Sequence, residues 1–317
     1  MPGLFYILLF WLIGNALSIL TGGYVSGNII GMILLFAALC LHWVKAETVR
    51  PAARFLLGAM ALFFVPYGVG LMDSYRVILD NLWAIVISGI ASTIIVLLVT
   101  GQTFQSLNRR SRLRRIRMPL LHPVLLTFVA VIVFLRAADI GYARYQEATG
   151  ILDFALGMSV VALGYLLYEQ VEQLRGSLLP VGIATLAGCV AGVLSVVYIA
   201  MAFGAGREIL NSIAPKSVTV PIAVSVSGPL GGIVPVTSVV VFCVGIFGSI
   251  FGEWILRRCG VRDAEARGFA LGAAAHGIGT ARAIEMGAVE GALSGLAMAL
   301  MGLATALLMP LMERYLY

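Results

Sequence analysis

The residues best equipped for chemistry sit in two short stretches of an otherwise apolar chain. The first is AAHGIGTARAIE, residues 274–285, which brings together His276, Thr280, Arg282 and Glu285 with two glycines, Gly277 and Gly279. The second is APKSVTVPIA, residues 214–223, sixty positions earlier; it carries Lys216, Ser217 and Thr219 between Pro215 and Pro221. Two cations at membrane depth suit capture of an anion, because ionisable groups there are expensive and mark functional sites. A guanidinium can hold a carboxylate through two parallel hydrogen bonds. A helix broken at a proline or glycine also turns free backbone N–H groups toward a ligand. Ser217, Thr219 and Thr280 could then bond a hydroxyl or keto group beside that carboxylate. Plainer roles stand next to these. Lys216 could snorkel to the interface, Arg282 could pair with Glu285 at i,i+3, and His276 is either a core histidine or a proton-coupling group. Glu253 and Glu290 read as helix-end or interfacial carboxylates.

The elements that position these stretches must be membrane helices. Of 317 residues, 61% are hydrophobic and 11% charged, against about 25% charged in soluble domains. The expected class is an all-α polytopic membrane protein with about ten to twelve segments. Apolar runs fall at 4–20, 29–44, 55–72 and 82–103, then at 123–135, 151–168, 181–203, 236–256 and 291–311. The opening run has no basic leader and reads as a retained helix, with the bacterial inner membrane as its expected location. Residues 105–117, QSLNRRSRLRRIR, hold six arginines and no acid, so the positive-inside rule puts them in the cytoplasm; membrane segments on both flanks argue against nucleic acid. The four cysteines have no metal-ligand or disulfide spacing, and no nucleophile, zinc or phosphate-loop motif is present. Neither an enzyme nor a cofactor or metal is expected. Gly27-x3-Gly31, Gly188-x3-Gly192, Gly248-x3-Gly252 and Gly287-x3-Gly291-x3-Gly295 read as packing seams.

The two polar stretches interrupt the segments at about 209–229 and 268–288. Loop charge favours a first interruption that dips in from outside and a second that dips in from inside. Helix plus interruption thus occurs twice in opposite orientation, the inverted-repeat layout of many secondary transporters.

Through SGNIIGMILLF (26–36), FLLGAMALFFVPYGVGLMD (55–73) and LLVTG (97–101), the first half resembles the LrgA/CidA family of holin-like membrane proteins. The second half resembles the LrgB/CidB family through PKSVTVPIA (215–223), RGFALGAAAHGIGTARAIEMG (267–287) and EGALSGLAMAL (290–300). The fused layout is similar to that of the plant plastidial glycolate/glycerate translocators. The resemblance implies a scaffold domain at 1–104, a basic linker at 105–117 and a transport domain at 118–317. It further implies a homodimer carrying a small organic anion such as glycolate, glycerate, lactate or pyruvate, or alternatively a holin/antiholin-like protein that modulates murein hydrolase export and lysis. Where the second-half family reads Leu-Gly-Pro-Ala-Thr, this chain has Leu156-Gly157-Met158-Ser159-Val160, which lacks that proline and threonine.

Overall fold

A computed structural model describes residues 2–20, 22–23, 25–63, 65–107, 123–171 and 178–316. The chain is helical throughout these residues. Six helices among them are long and apolar enough to cross a bilayer: α1 (Pro2–Leu20), α6 (Leu82–Leu107), α9 (Gly150–Val171), α10 (Leu178–Ala202), α13 (Val234–Arg258) and α15 (Ala288–Leu316). Shorter or more polar helices are α2 (Gly27–Cys40), α3 (Ala46–Phe63) and α7 (Pro123–Ala137); α4 (Val65–Val69), α5 (Leu71–Asp80) and α8 (Tyr142–Ala148) are shorter still. Two doubled-back elements, α11 (Arg207–Ile213) with α12 (Val220–Ser227), and α14 (Ala264–Met286), complete the set.

The third apolar run differs from expectation. A helix over 55–72 was expected; the helical stretch instead starts earlier, at Ala46, and a turn at Gly70 separates α4 from α5. Starting α3 early brings Arg50 and Arg54, expected in a loop, onto a helix, where both reach Glu169 at the end of α9 at 3.5 Å.

Interhelical contacts sort the helix ends into two groups. At one end Gln105, late in α6, accepts from Arg262 N and Asp263 N just beyond α13, and Arg267 pairs with Glu290 where α14 and α15 begin. This basic end also holds Lys45, Arg50, Arg54, Arg257 and Arg258. At the opposite end Arg136 of α7 donates to Met72 O, Gly70 lies against Pro235 at the start of α13, and Arg207 at the start of α11 faces Glu313 near the end of α15 at 3.8 Å. Charges there are mixed. The arginine-rich run falls largely outside the described residues.

Glycine seams set the spacing of the core. Gly14 of α1 packs against the backbone of Gly27 and Gly31 on α2. Gly188 and Gly192 of α10 meet Thr100 and Val96 of α6, while Gly248 and Gly252 of α13 approach Thr93 and Leu97 of the same helix. The second pair lies sixty residues after the first, so α10 and α13 present equivalent small-residue faces to α6, which lies between them. Although it ends the first half of the sequence, α6 packs into the second half.

Candidate functional site: two hairpin tips at the middle of α6

The first interrupted stretch is a re-entrant hairpin. Pro215 lacks the N–H that would continue α11, and Thr219 begins α12 in extended conformation with Pro221 in its first turn, where proline is well tolerated. The chain then returns to where it entered: Asn211 Nδ2 donates to Leu230 O at 2.6 Å, and Ile233 N donates to Ser212 Oγ at 2.7 Å. Both ends of this hairpin therefore lie toward the mixed-charge end, and its tip is residues 214–219.

The second stretch also doubles back. Within α14, Ala275 (φ −129°, ψ 15°) and His276 (φ 43°, ψ −133°) leave helical geometry. The reversal is visible at Gly279, where a Cβ would lie 2.5 Å from Leu271 O; in a straight helix residues eight apart are separated by about 12 Å of rise. The two arms run down and back along α13. Leu271 meets Gly252, Ala275 meets Gly248, and His276 with Ile278 meets Gly245; Arg282 then returns to Glu253. The arms enter and leave at the basic end, opposite to the first hairpin, and the turn lies halfway along α13.

Both tips converge on Thr93, near the midpoint of α6. Lys216, fully buried, donates from Nζ to Ser217 Oγ at 3.0 Å and to Thr93 Oγ1 at 3.3 Å. On the other side of Thr93, Gly248 lies 3.8 Å from its methyl carbon and in close contact with Ala275 at the second tip, measured from the Cβ position of the glycine. Ser217 is buried beside Gly192, and Thr219 Oγ1 is shielded from solvent without a hydrogen-bond partner.

The second hairpin's polar groups are largely occupied by the protein itself. His276 Nε2 lies 3.0 Å from Val241 O. Thr280 Oγ1 donates to His276 O and shares a 2.9 Å bond with Ser294 Oγ. Gly277 faces only Met298 Sδ, at 3.8 Å from its Cβ position. Arg282 is 2% exposed and held by two carboxylates, Glu285 at 2.8 Å and Glu253 at 3.2 Å; Glu253 in turn binds Arg257 at 2.7 Å. Arg267 and Glu290 form a second buried pair at 2.7 Å. Of the three buried lysine and arginine side chains among the described residues, two are thus paired with carboxylates. Among the described residues no carboxylate pairs with Lys216.

The structure therefore gathers Lys216, Ser217 and Thr219 at one tip and His276, Gly277, Gly279 and Thr280 at the other, while Arg282 and Glu285 lie on the returning arm near the basic end. Two corrections follow. Glu253 and Glu290 lie near helix ends, as expected, but are not solvated there: both are buried as partners of arginines drawn from the second hairpin. Lys216 does not snorkel, because its tip is enclosed by α6, α10 and the hairpin. Thr93 was missed by sequence reasoning. Its signal is faint, a buried face of Ser88, Ser92, Thr93 and Thr100 on α6.

Re-entrant hairpins entering from opposite ends and meeting within a helical bundle define a polytopic all-α membrane protein with an inverted core. The chain belongs to the LrgB-like family, whose description matches residues 106–315, and residues 11–104 match the LrgA family. It is a fusion of an LrgA-like and an LrgB-like half. It is 33% identical over 207 residues to the uncharacterised protein YxaC of Bacillus subtilis (65% of this chain, 89% of that protein). It is 30% identical over 194 residues to the holin-like protein CidB of Staphylococcus epidermidis (61% and 85%) and 31% over 189 residues to the antiholin-like protein LrgB of Bacillus cereus (60% and 82%). No solved structure matches the chain.

Proposed function

We propose that this protein is a secondary carrier of small organic monocarboxylates of the 2-hydroxy or 2-keto acid type, glycolate, glycerate, lactate and pyruvate among them. The observation that carries the reading is Lys216: a fully buried ammonium at the meeting point of two hairpins, satisfied only by hydroxyls. An uncompensated charge at this depth is costly, and a bound carboxylate offsets that cost. Ser217, beside Lys216, and Thr219, whose Oγ1 has no partner, are the hydroxyls nearest to a substrate's hydroxyl or keto oxygen. Arg282, already shared by two carboxylates, holds the returning arm to α13 and leaves anion capture to Lys216. The positive-inside rule sets the basic end in the cytoplasm, in a bacterial inner membrane. Alternating access then comes from one hairpin opening to each side.

The holin-like and antiholin-like relatives support a second reading, a holin- or antiholin-like role, in which the chain would modulate murein hydrolase export and lysis. Reconstitution separates the two. In proteoliposomes, a carrier takes up labelled glycolate or pyruvate in a saturable manner, retains a trapped dye, and loses uptake on Lys216→Met. Dye leakage with no saturable uptake of any small carboxylate sinks the carrier reading.

A further inference from the structure

An uncompensated charge on Lys216 has two remedies, a bound carboxylate or loss of the proton. The surroundings favour the second whenever no carboxylate is present. An ammonium carries three N–H donors; a neutral amine carries two and a lone pair. Among the described residues two acceptors face Nζ, Ser217 Oγ at 3.0 Å and Thr93 Oγ1 at 3.3 Å. They satisfy a neutral amine and leave an ammonium one bond short. Both distances exceed the roughly 2.7–2.9 Å of charge-assisted bonds, which Arg267 and Arg282 do make to carboxylates, at 2.7 and 2.8 Å. The Thr93 hydroxyl proton is committed to Gly89 O, whereas Ser217 can turn its own proton toward the amine's lone pair. No neighbouring anion compels the charge. Neither α6 nor α12 carries an acidic or basic side chain. The titratable groups of α10 are Cys189 and Tyr198, and those nearest on α13 and α14 are Cys243 and His276, the latter bonded to Val241 O. Every charged side chain on α9, α11, α13, α14 and α15 lies in the first or last two turns of its helix.

We infer that Lys216 is also the proton site of the carrier, a neutral amine when the site is empty and an ammonium when a carboxylate is bound, so that one proton travels with each monocarboxylate. This rests on the carrier reading above. On the side where a hairpin opens, the amine takes a proton from water and the carboxylate binds the ammonium so formed. On the other side the carboxylate leaves and the ammonium gives its proton back to water. The N–H bond made on one side is the bond broken on the other, and the net transfer is one carboxylate and one proton. The empty site and the doubly loaded site are both neutral, so either can be enclosed at mid-membrane. The two half-loaded forms, an ammonium alone and a carboxylate beside an amine, each bury an unpaired charge. That difference couples the two solutes and makes the cycle electroneutral. The proton role considered for His276 falls to the lysine.

The sequence makes the test direct, because its only lysines are Lys45 and Lys216. The full-length protein labelled with lysine carrying ¹³C at the ε carbon gives two side-chain NMR signals, and Lys45→Arg assigns them. At about pH 8, Lys216 is expected at the neutral-amine shift in the empty protein and at the ammonium shift with saturating pyruvate. Lys45, exposed between α2 and α3, is expected to stay an ammonium in both. In proteoliposomes, an interior more alkaline by about one pH unit is expected to drive about tenfold protein-dependent accumulation of pyruvate, and an imposed membrane potential none. An ammonium signal in both forms, alongside saturable pyruvate uptake, overturns this inference and leaves the carrier reading standing. A neutral signal in both forms, alongside pH-driven uptake, also overturns it and moves the proton to another group, His276 first. Absence of saturable uptake of every small carboxylate overturns both.

Discussion

Two glycines at the second tip differ in what alanine would cost them, and that difference tests the hairpin directly. If α14 were one straight helix, Gly277→Ala and Gly279→Ala would each stabilise it by about 0.8–1 kcal/mol, the helix-propensity gap between the two residues. In the folded hairpin only Gly277 has room, because a Cβ there meets only Met298 Sδ at 3.8 Å. At Gly279 the new methyl would lie 2.5 Å from Leu271 O and 2.7 Å from Ala275 Cβ, both on the opposite arm. Overpacking of this kind costs about 1–3 kcal/mol, and a backbone carbonyl cannot swing aside as a flexible side chain can, so the upper half of that range applies. Setting that against the propensity gain leaves Gly279→Ala about 1–2 kcal/mol less stable than the parent and about 2–3 kcal/mol below Gly277→Ala. Reversible unfolding in mixed detergent micelles measures both variants against the parent. If Gly279→Ala proves as stable as Gly277→Ala, the chain does not reverse at Ala275–His276, and the description of the second tip is wrong.

The buried charges make their own predictions. Glu253→Gln leaves Arg282 with a single, half-exposed partner and should cost about 3 kcal/mol, the low end for breaking a buried pair, because Arg257 can turn outward; an unchanged unfolding midpoint would remove Glu253 from the lock on the hairpin. Lys216→Met exchanges an unpaired buried cation for an apolar side chain of similar length, so stability should hold or rise, by about 1 kcal/mol or more, while carboxylate uptake is lost; uptake at the parent rate contradicts the assigned role. For topology, cysteines at Arg207 and Pro229 should both label from outside and cysteines at Arg262 and Val289 both from the cytoplasm. Opposite labelling within either pair means that the interrupted stretch crosses completely.

What was legible in the sequence was whatever a residue dictates locally. Pro215 and Pro221 mark where a membrane helix cannot continue, and the first interruption occurs there; the second falls at Ala275 and His276, just before the glycines rather than at them. Polarity also announced Lys216, Arg282 and Glu285 against their apolar background, and the i,i+3 spacing of Arg282 and Glu285 anticipated their pairing at 2.8 Å. What escaped was partnership at a distance. Glu253 lies 29 residues from Arg282 and Glu290 lies 23 from Arg267, each near an apolar helix's end, where a solvated carboxylate is the ordinary expectation. Only the doubling back of α14 carries its arginines to them.

Thr93 was less visible still, for a physical reason. A hydroxyl on an isolated membrane helix satisfies itself by donating to a carbonyl one turn back, and α6 does this repeatedly: Thr93 to Gly89 O, Thr100 to Val96 O and Ser88 to Ile85 O. A hydroxyl satisfied in this way needs nothing from neighbouring helices, so its position in the sequence carries no trace of a partner. The Thr93 oxygen keeps a lone pair after donating, and the Lys216 ammonium, 123 residues away, occupies it. That accepting capacity fits α6 for its place between two opposed hairpins: it meets a cation at mid-membrane without supplying a neutralising charge, which under the proposed carrier function leaves the cation for a carboxylate. An aspartate at the same position would close the site.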